Sequence, residues 1–129
     1  MQEVTAKLSH LRMGPRKVRL IADLIRGKKA EKARIILSLS DKRAARPVLK
    51  LLNSAIANAK HNFEMTVDTL RVSKISVDGG PVLKRWMPKA HGRATPVRER
   101  TSHINLVLAG AGKEDKKKKE NKENQEENE

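Results

Sequence analysis

Residues 79–100, GGPVLKRWMPKAHGRATPVRER, lie between two strand-like runs, LRVSKISV before them and HINLVL after. Glycines and prolines interrupt the segment, so it cannot form an amphipathic helix. It also has too few apolar side chains to pack as a core. Lys84, Arg85, Lys89, Arg93, Arg98 and Arg100 stand against the single acid Glu99. The segment therefore has to leave the body of the protein as a cationic arm flanked by strands, suited to lying along nucleic-acid backbones.

The path of the arm is open in the sequence. Asp78-Gly79-Gly80-Pro81 could be a tight turn, pairing residues 72–77 with 82–87 as a short hairpin. It could instead be a bulge within a longer ribbon that turns between Pro88 and Gly92. The charge favours the ribbon, which sets Lys84-Arg85 and Arg98–Arg100 on opposite legs. With about 14 residues a leg, at roughly 3.3 Å each, such a ribbon would reach on the order of 45 Å. Isolated in water it is marginal, and it is expected to order when packed in RNA. Trp86 then has two readings, an anchor of the arm's base against the body or an exposed contact for a base, a sugar or a partner.

The whole chain agrees with a polyanionic partner. Its 129 residues have a formal net charge of +14. The last 17, Lys113–Glu129, hold six lysines and seven acids, which leaves +15 on residues 1–112. A folded body with this charge repels itself, and nucleic acid relieves the cost. A membrane surface is a weaker partner, because no helix opposes a Lys/Arg face to a bulky aromatic one. There is no secretory or long apolar run, which predicts a cytoplasmic chain without membrane insertion. Phe63 and Trp86 are the only aromatics besides histidine, so binding should work through phosphates, sugars and groove shape rather than base-stacking platforms.

Along the body, Val4, Ala6 and Leu8 alternate with polar residues as a half-buried strand. Pro15 to Arg26, followed by Gly27, fits a first helix with Val18, Ile21, Ala22 and Ile25 on one face. Arg12, Arg16, Lys17, Arg19 and Arg26 ring its start and its other side. Lys28 to Leu39 reads as a second helix, with Ser40 and Asp41 as capping residues. In the third, Val48, Leu51, Leu52, Ala55, Ile56 and Ala59 recur at helical spacing. Pro47 requires that this helix begin there or that a turn from Asp41 bend at it, and fraying is expected near His61-Asn62. Residues 67–78 read as a strand with a change of parity: Leu70 and Val72 fall on one face, Ile75 and Val77 on the other. A bulge, a strong twist, or a strand leaving the body would produce this. Ile104, Leu106 and Leu108 alternate in the last strand. The predicted fold is α+β: a small three-stranded antiparallel sheet packed by three helices, in the order βαααββ, with a long β-hairpin arm between the last two strands. Residues 1–112 form one domain including the arm at about 78–102. Residues 113–129 have no apolar residue and read as a disordered, solvated charged tail.

Catalysis and metal binding find little support. There is no cysteine, and His10, His61, His91 and His103 are too scattered for a zinc site. No carboxylate pair stands beside a nucleophile, and no phosphate-binding Gly loop leads into Lys-Ser/Thr. No cofactor and no enzymatic role are expected.

KVRLIADLIRGKK, SAIANAKHN and ISVDGGPVLKRWMPKAHGRATPVRERTSHINLVL together resemble the universal large-subunit ribosomal protein twenty-two family, bacterial type, over residues 3–109. The most specific part is Lys89-Ala90-His91-Gly92-Arg93, then nine residues, then His103-Ile104-Asn105-Leu106-Val107-Leu108. The resemblance implies a structural component of the large ribosomal subunit that binds 23S ribosomal RNA and supports assembly among neighbouring large-subunit proteins. It implies a hairpin whose tip lines the nascent-peptide exit tunnel near the macrolide site, where changes can give macrolide resistance. The growing polypeptide and nearby macrolides would then be partners. On this sequence the tip maps to Met87, Pro88, Lys89, Ala90, His91, Gly92 and Arg93, with Leu83, Lys84 and Arg85 leading into it. The expected RNA contacts of the arm are Lys84, Arg85, Trp86, Lys89, His91, Arg93, Arg98 and Arg100. Those of the body are Lys7, His10, Arg12, Arg16, Lys17, Lys28, Lys29 and His61. Trp86 replaces an aliphatic residue frequent in the family, Pro47 stands within a helix the family keeps continuous, and the tail extends beyond the family's short ending. The alternative from the residues alone is a free RNA- or DNA-binding regulator with a basic finger.

Overall fold

A computed structural model describes residues 2–110. The expectations for the tail, residues 113–129, lie outside the described residues. The fold is α+β, with three α-helices and antiparallel sheets. Strand β1 (Gln2–Leu11) leads to helices α1 (Pro15–Ile25), α2 (Ala30–Leu39) and α3 (Ala45–Phe63). Strand β2 (Arg71–Gly79) follows, then β3 (Leu83–Pro88), β4 (Ala94–Glu99) and β5 (Ser102–Gly110). Strands β1, β5 and β2 form one antiparallel sheet with β5 in the middle, and β3 and β4 form a separate two-stranded ribbon.

The core lies between the three-stranded sheet and the helices. Ile104, Leu106 and Leu108 of β5 are fully buried, with Val4 beside them on β1. Helices α1 and α3 add every apolar position expected from periodicity, and α2 adds Ala33 and Leu37 with Ile36 partly covered beside them. Each such burial contributes about 1.5–3 kcal/mol for a large aliphatic side chain.

The parity change in β2 comes from a bulge. Val72 faces Leu108, but Lys74 faces Val107, so β2 spends two residues against one of β5. Ser73 is the additional residue, and it returns Ile75 and Val77 to the buried face that Val72 occupies. The strand does not leave the body here.

The outer edge of β2 is covered rather than open. The Gly27 N–H donates to Val72 O, the Val72 N–H to Lys28 O, and the Ala30 N–H to Leu70 O. Farther along, Arg26 Nη2 donates to Ile75 O and the Arg19 guanidinium to Val77 O. Such covering prevents another strand from adding to this edge. It also corrects one expectation. Lys28 and Lys29 belong to an extended link, with α2 starting at Ala30, because their backbone is drawn into pairing with β2. Arg19 and Arg26 are exposed, as expected of a ring of surface cations, and in addition hold the sheet edge.

Helix α3 starts at Ala45, two residues before Pro47. Pro47 therefore sits in the first turn, where a backbone N–H has no intrahelical partner to lose. Ser40 stands at the C-cap of α2, its hydroxyl accepting from the Lys42 N–H, whereas Asp41 is at neither cap and α3 has Ala44 at its N-cap without a side-chain hydrogen bond. The helix continues past His61-Asn62 and ends as Glu64 turns left-handed at φ 50°. The buried Met65 sends its N–H back to Ala59 O.

Candidate nucleic-acid interface

The arm starts where β2 and β5 stop pairing. Gly79 faces Ser102, the Gly80 N–H donates to Thr101 O at 2.8 Å, and the Thr101 hydroxyl donates to Pro81 O at 2.6 Å. Pairing resumes at Leu83–Glu99 with its register moved by one residue. Gly79-Gly80-Pro81 is thus not a tight turn but an irregularity within a continuous ribbon, the second of the two geometries the sequence allowed. Packing decides it. A Cβ on Gly80 would lie 2.5 Å from Thr101 Oγ1 and 3.0 Å from His103 Nε2, so the bare backbone is seated under these two side chains.

His103 is held in turn from β1. The His10 N–H donates to His103 Nδ1 at 3.1 Å, and the two rings stand edge to face with centroids 4.8 Å apart. Accepting at Nδ1 requires a neutral ring with its proton on Nε2. His10 reaches this geometry through a left-handed backbone, φ 57°, at the β1 irregularity between Leu8 and Leu11. Ser102 is buried and its hydroxyl donates to Met13 O at 2.6 Å. The root is therefore fixed by β1, β5 and the chain before α1 together.

Beyond the root the arm is a ribbon of six residue pairs, from Leu83–Glu99 to Pro88–Ala94. It turns at Lys89–Arg93, closed by the Lys89 N–H donating to Arg93 O. His91 and Gly92 both take positive φ there, 65° and 68°, which glycine adopts without strain and histidine does not. From Gly80 to Pro88 a leg has nine residues. That is roughly 30 Å, shorter than the 45 Å expected, because β2 remains paired with β5 up to Gly79. Within the ribbon only Leu83 and Val97 are partly covered.

Alternation sorts the side chains into two faces. One face holds the pairs Lys84–Arg98, Trp86–Pro96 and Pro88–Ala94. The other holds Leu83–Glu99, Arg85–Val97 and Met87–Thr95. Lys84 and Arg98 are like charges directly opposite each other, an arrangement that destabilises an isolated hairpin. Trp86 is 68% exposed, so it does not anchor the arm to the body.

The expected body residues fall into separate groups. Arg12 and Lys17 join Arg100 around a cleft of about 770 Å³ between the start of α1, the link into α3 and the root of the arm. Arg16 is exposed in the adjoining first turn of α1. Lys28 and Lys29 lie at the far end of α1, about 16 Å along the helix from its start. His61 lies on the last turn of α3, and Lys7 is exposed on β1 opposite Asn105. The cleft adds Lys42 and Arg43, which sequence reasoning passed over because nothing local links them to the arm.

The described residues contain no group of three His, Cys, Asp or Glu able to hold a metal ion. They also contain no helix long and apolar enough to cross a membrane. What the fold defines is a small α+β body carrying a rigidly rooted, basic and almost wholly exposed ribbon.

Comparison with known proteins gives that description a family. The model of the ribosomal protein L22p/L17e family matches residues 6–109. The large ribosomal subunit protein uL22 of Desulfitobacterium hafniense (strain DSM 10664 / DCB-2) is 52% identical over 108 residues, covering 84% of this chain and 95% of its own. The uL22 proteins of Myxococcus xanthus (strain DK1622) and Geobacter sulfurreducens (strain ATCC 51573 / DSM 12127 / PCA) are each 52% identical as well. They match over 113 and 107 residues, covering 86% and 83% of this chain and 99% and 96% of their own. The chain belongs to the ribosomal protein L22p/L17e family, whose members are structural, non-enzymatic components of the ribosome.

Proposed function

We propose that this protein is a structural constituent of the cytoplasmic large ribosomal subunit that binds 23S ribosomal RNA through its arm and supports subunit assembly. Residues 1–112 act as one unit with the arm at about 78–102 projecting from it, and the tail beyond is dispensable. The observation that carries the reading is the unneutralised cation array on an exposed ribbon, above all Lys84 opposite Arg98. Among the described residues neither has an ion-pair partner. Phosphate along the face that carries both turns a destabilising pair into two favourable contacts.

The tip from Met87 to Arg93, at the far end of a root-fixed arm, lines the exit tunnel and meets the nascent polypeptide near the macrolide site. Family membership supports this role, as does a tip held at a fixed distance from the body.

The test is binding to a 23S ribosomal RNA fragment over a range of salt. Each phosphate contact contributes about 0.9 to the slope of log affinity against log salt in a duplex. Lys84→Ala with Arg98→Ala should lower that slope by up to about 1.8. An unchanged slope means the arm does not lie among phosphates. In cells, the protein should sediment with large subunits and be released only by high salt. A mainly free protein would favour a regulator with a basic finger.

A further inference from the structure

Glu99 is the only acid between Gly79 and Arg100 and the only acid among the residues lining the cleft at the root of the arm. Its Oε2 accepts from Arg12 Nη2 at 2.7 Å. The other charged residues of the lining are all cations, Lys17, Lys42, Arg43 and Arg100, none with an ion-pair partner among the described residues, and Met13, Leu20 and Ala44 supply apolar wall between them. Helices α1 and α3 both start at this cleft, and neither has an acid in its first turn or a side-chain cap. Positive helix ends are thereby added to positive side chains, with one carboxylate in opposition.

We propose that this cleft is a binding site for an RNA phosphodiester, separate from the ribbon, and that Glu99 occupies it as a placeholder in the free protein. The carboxylate satisfies Arg12 until a phosphate arrives. The phosphate then takes Arg12 in a charge-assisted contact together with the neighbouring cations. Glu99 remains half exposed, with a side chain 43% accessible, so it can turn to solvent without loss of packing. Held by Glu99, Arg12 ties the arm's last strand to the body. Released, it joins the RNA contacts. The inference rests on the RNA-binding reading, which already expects Arg12, Lys17 and Arg100 to contact RNA, and adds to it Lys42, Arg43 and the part played by Glu99.

The experiment measures binding of the full chain to a fluorescent RNA hairpin from 50 to 300 mM KCl, with circular dichroism as a check on folding. Glu99→Gln should tighten binding about five- to tenfold near 0.1 M salt with the salt slope unchanged, because Arg12 meets the same phosphate in both complexes and only the competing carboxylate is gone. Asp78→Asn removes the same charge from an exposed position on β2 and should give a smaller gain. In an Arg12→Ala background, Glu99→Gln should do no more than Asp78→Asn, since the cation it releases is absent. Equal effects of Glu99→Gln and Asp78→Asn, a persistent gain without Arg12, or weaker binding by Glu99→Gln would each overturn the placeholder. Binding of the unaltered chain that ignores salt would refute the RNA reading itself. Steep salt dependence with a flat Glu99–Arg12 cycle would refute only the placeholder.

Discussion

Replacing Gly80 with Ala probes what fixes the arm. The backbone of Gly80 is conformationally ordinary, so the penalty comes from space alone. An added Cβ would lie 2.5 Å from Thr101 Oγ1, 3.0 Å from His103 Nε2 and 3.1 Å from His103 Cε1. Moving the Thr101 hydroxyl breaks its hydrogen bond to Pro81 O, and moving the His103 ring breaks the one it accepts from the His10 N–H. Each is worth about 1 kcal/mol net, in keeping with the 1–3 kcal/mol typical of overpacking. A loss of about 2 kcal/mol should lower the thermal midpoint by roughly 8–16 °C for a body of this size. Thermal unfolding followed by circular dichroism measures it. Gly14→Ala serves as the control: its Cβ would meet nothing within 4 Å and should cost no more than about 1 kcal/mol. Thr101→Ala removes the nearest obstacle, so the double variant should be more stable than the sum of the single effects implies. A Gly80→Ala protein that melts with the parent, or strictly additive losses, would refute the packed root.

Other consequences concern the sheet and the arm. Excising residues 82–98 and closing the gap with a short Gly-Ser link should leave the helical circular-dichroism signal intact; its loss would place the arm inside the core. Arg19→Ala and Arg26→Ala should each destabilise the body by about 1–2 kcal/mol in urea titration, because carbonyls at the β2 edge lose charged donors. An unchanged midpoint would mean water replaces them fully. Deleting Ser73 should be far more damaging. Without the bulge, Ile75 and Val77 turn to solvent at about 1.5–3 kcal/mol each, a large fraction of a domain's total stability, and a soluble, cooperatively melting product would refute the register.

What was legible in the sequence follows from the range of the interactions involved. The buried faces of α1 and α3 were readable because periodicity depends on neighbours three and four residues away. The parity change in β2 was visible too, and the bulge was among its readings, since two apolar pairs out of phase require one additional residue. The boundary of α3 was harder. Pro47 reads as a start, yet a first turn accommodates proline two residues in. The arm's root was not legible. The Arg12–Glu99 pair spans 87 residues and His10–His103 spans 93. Arg19 and Arg26 donate to backbone carbonyls, which carry no side-chain signature. Asp78-Gly79-Gly80-Pro81 has the composition of a tight turn; the charge on the flanking legs favours the ribbon, and the seat beneath Thr101 and His103 is what excludes the turn.

The root and the ribbon make opposite demands on the same strands. At the root, small or neutral groups are packed closely: Gly80 against Thr101, His10 against His103, and the Ser102 hydroxyl on Met13 O. None of these contacts needs a partner molecule, so the direction of the arm belongs to the protein. Beyond Leu83 the side chains are nearly all exposed, and the like-charged pair Lys84–Arg98 works against pairing. A ribbon of this kind gains from surrounding anions what it lacks in burial. The body can therefore fold first and present the arm along a set line, while the proposed RNA supplies the counter-charge that holds its distal half. Stiffness at the base limits the entropy lost on binding, and cations left unpaired at the far end avoid breaking internal ion pairs before phosphate contacts form. Glu99 marks the boundary: it is the one acid between Gly79 and Arg100, and it pairs with Arg12 of the body rather than facing the tip.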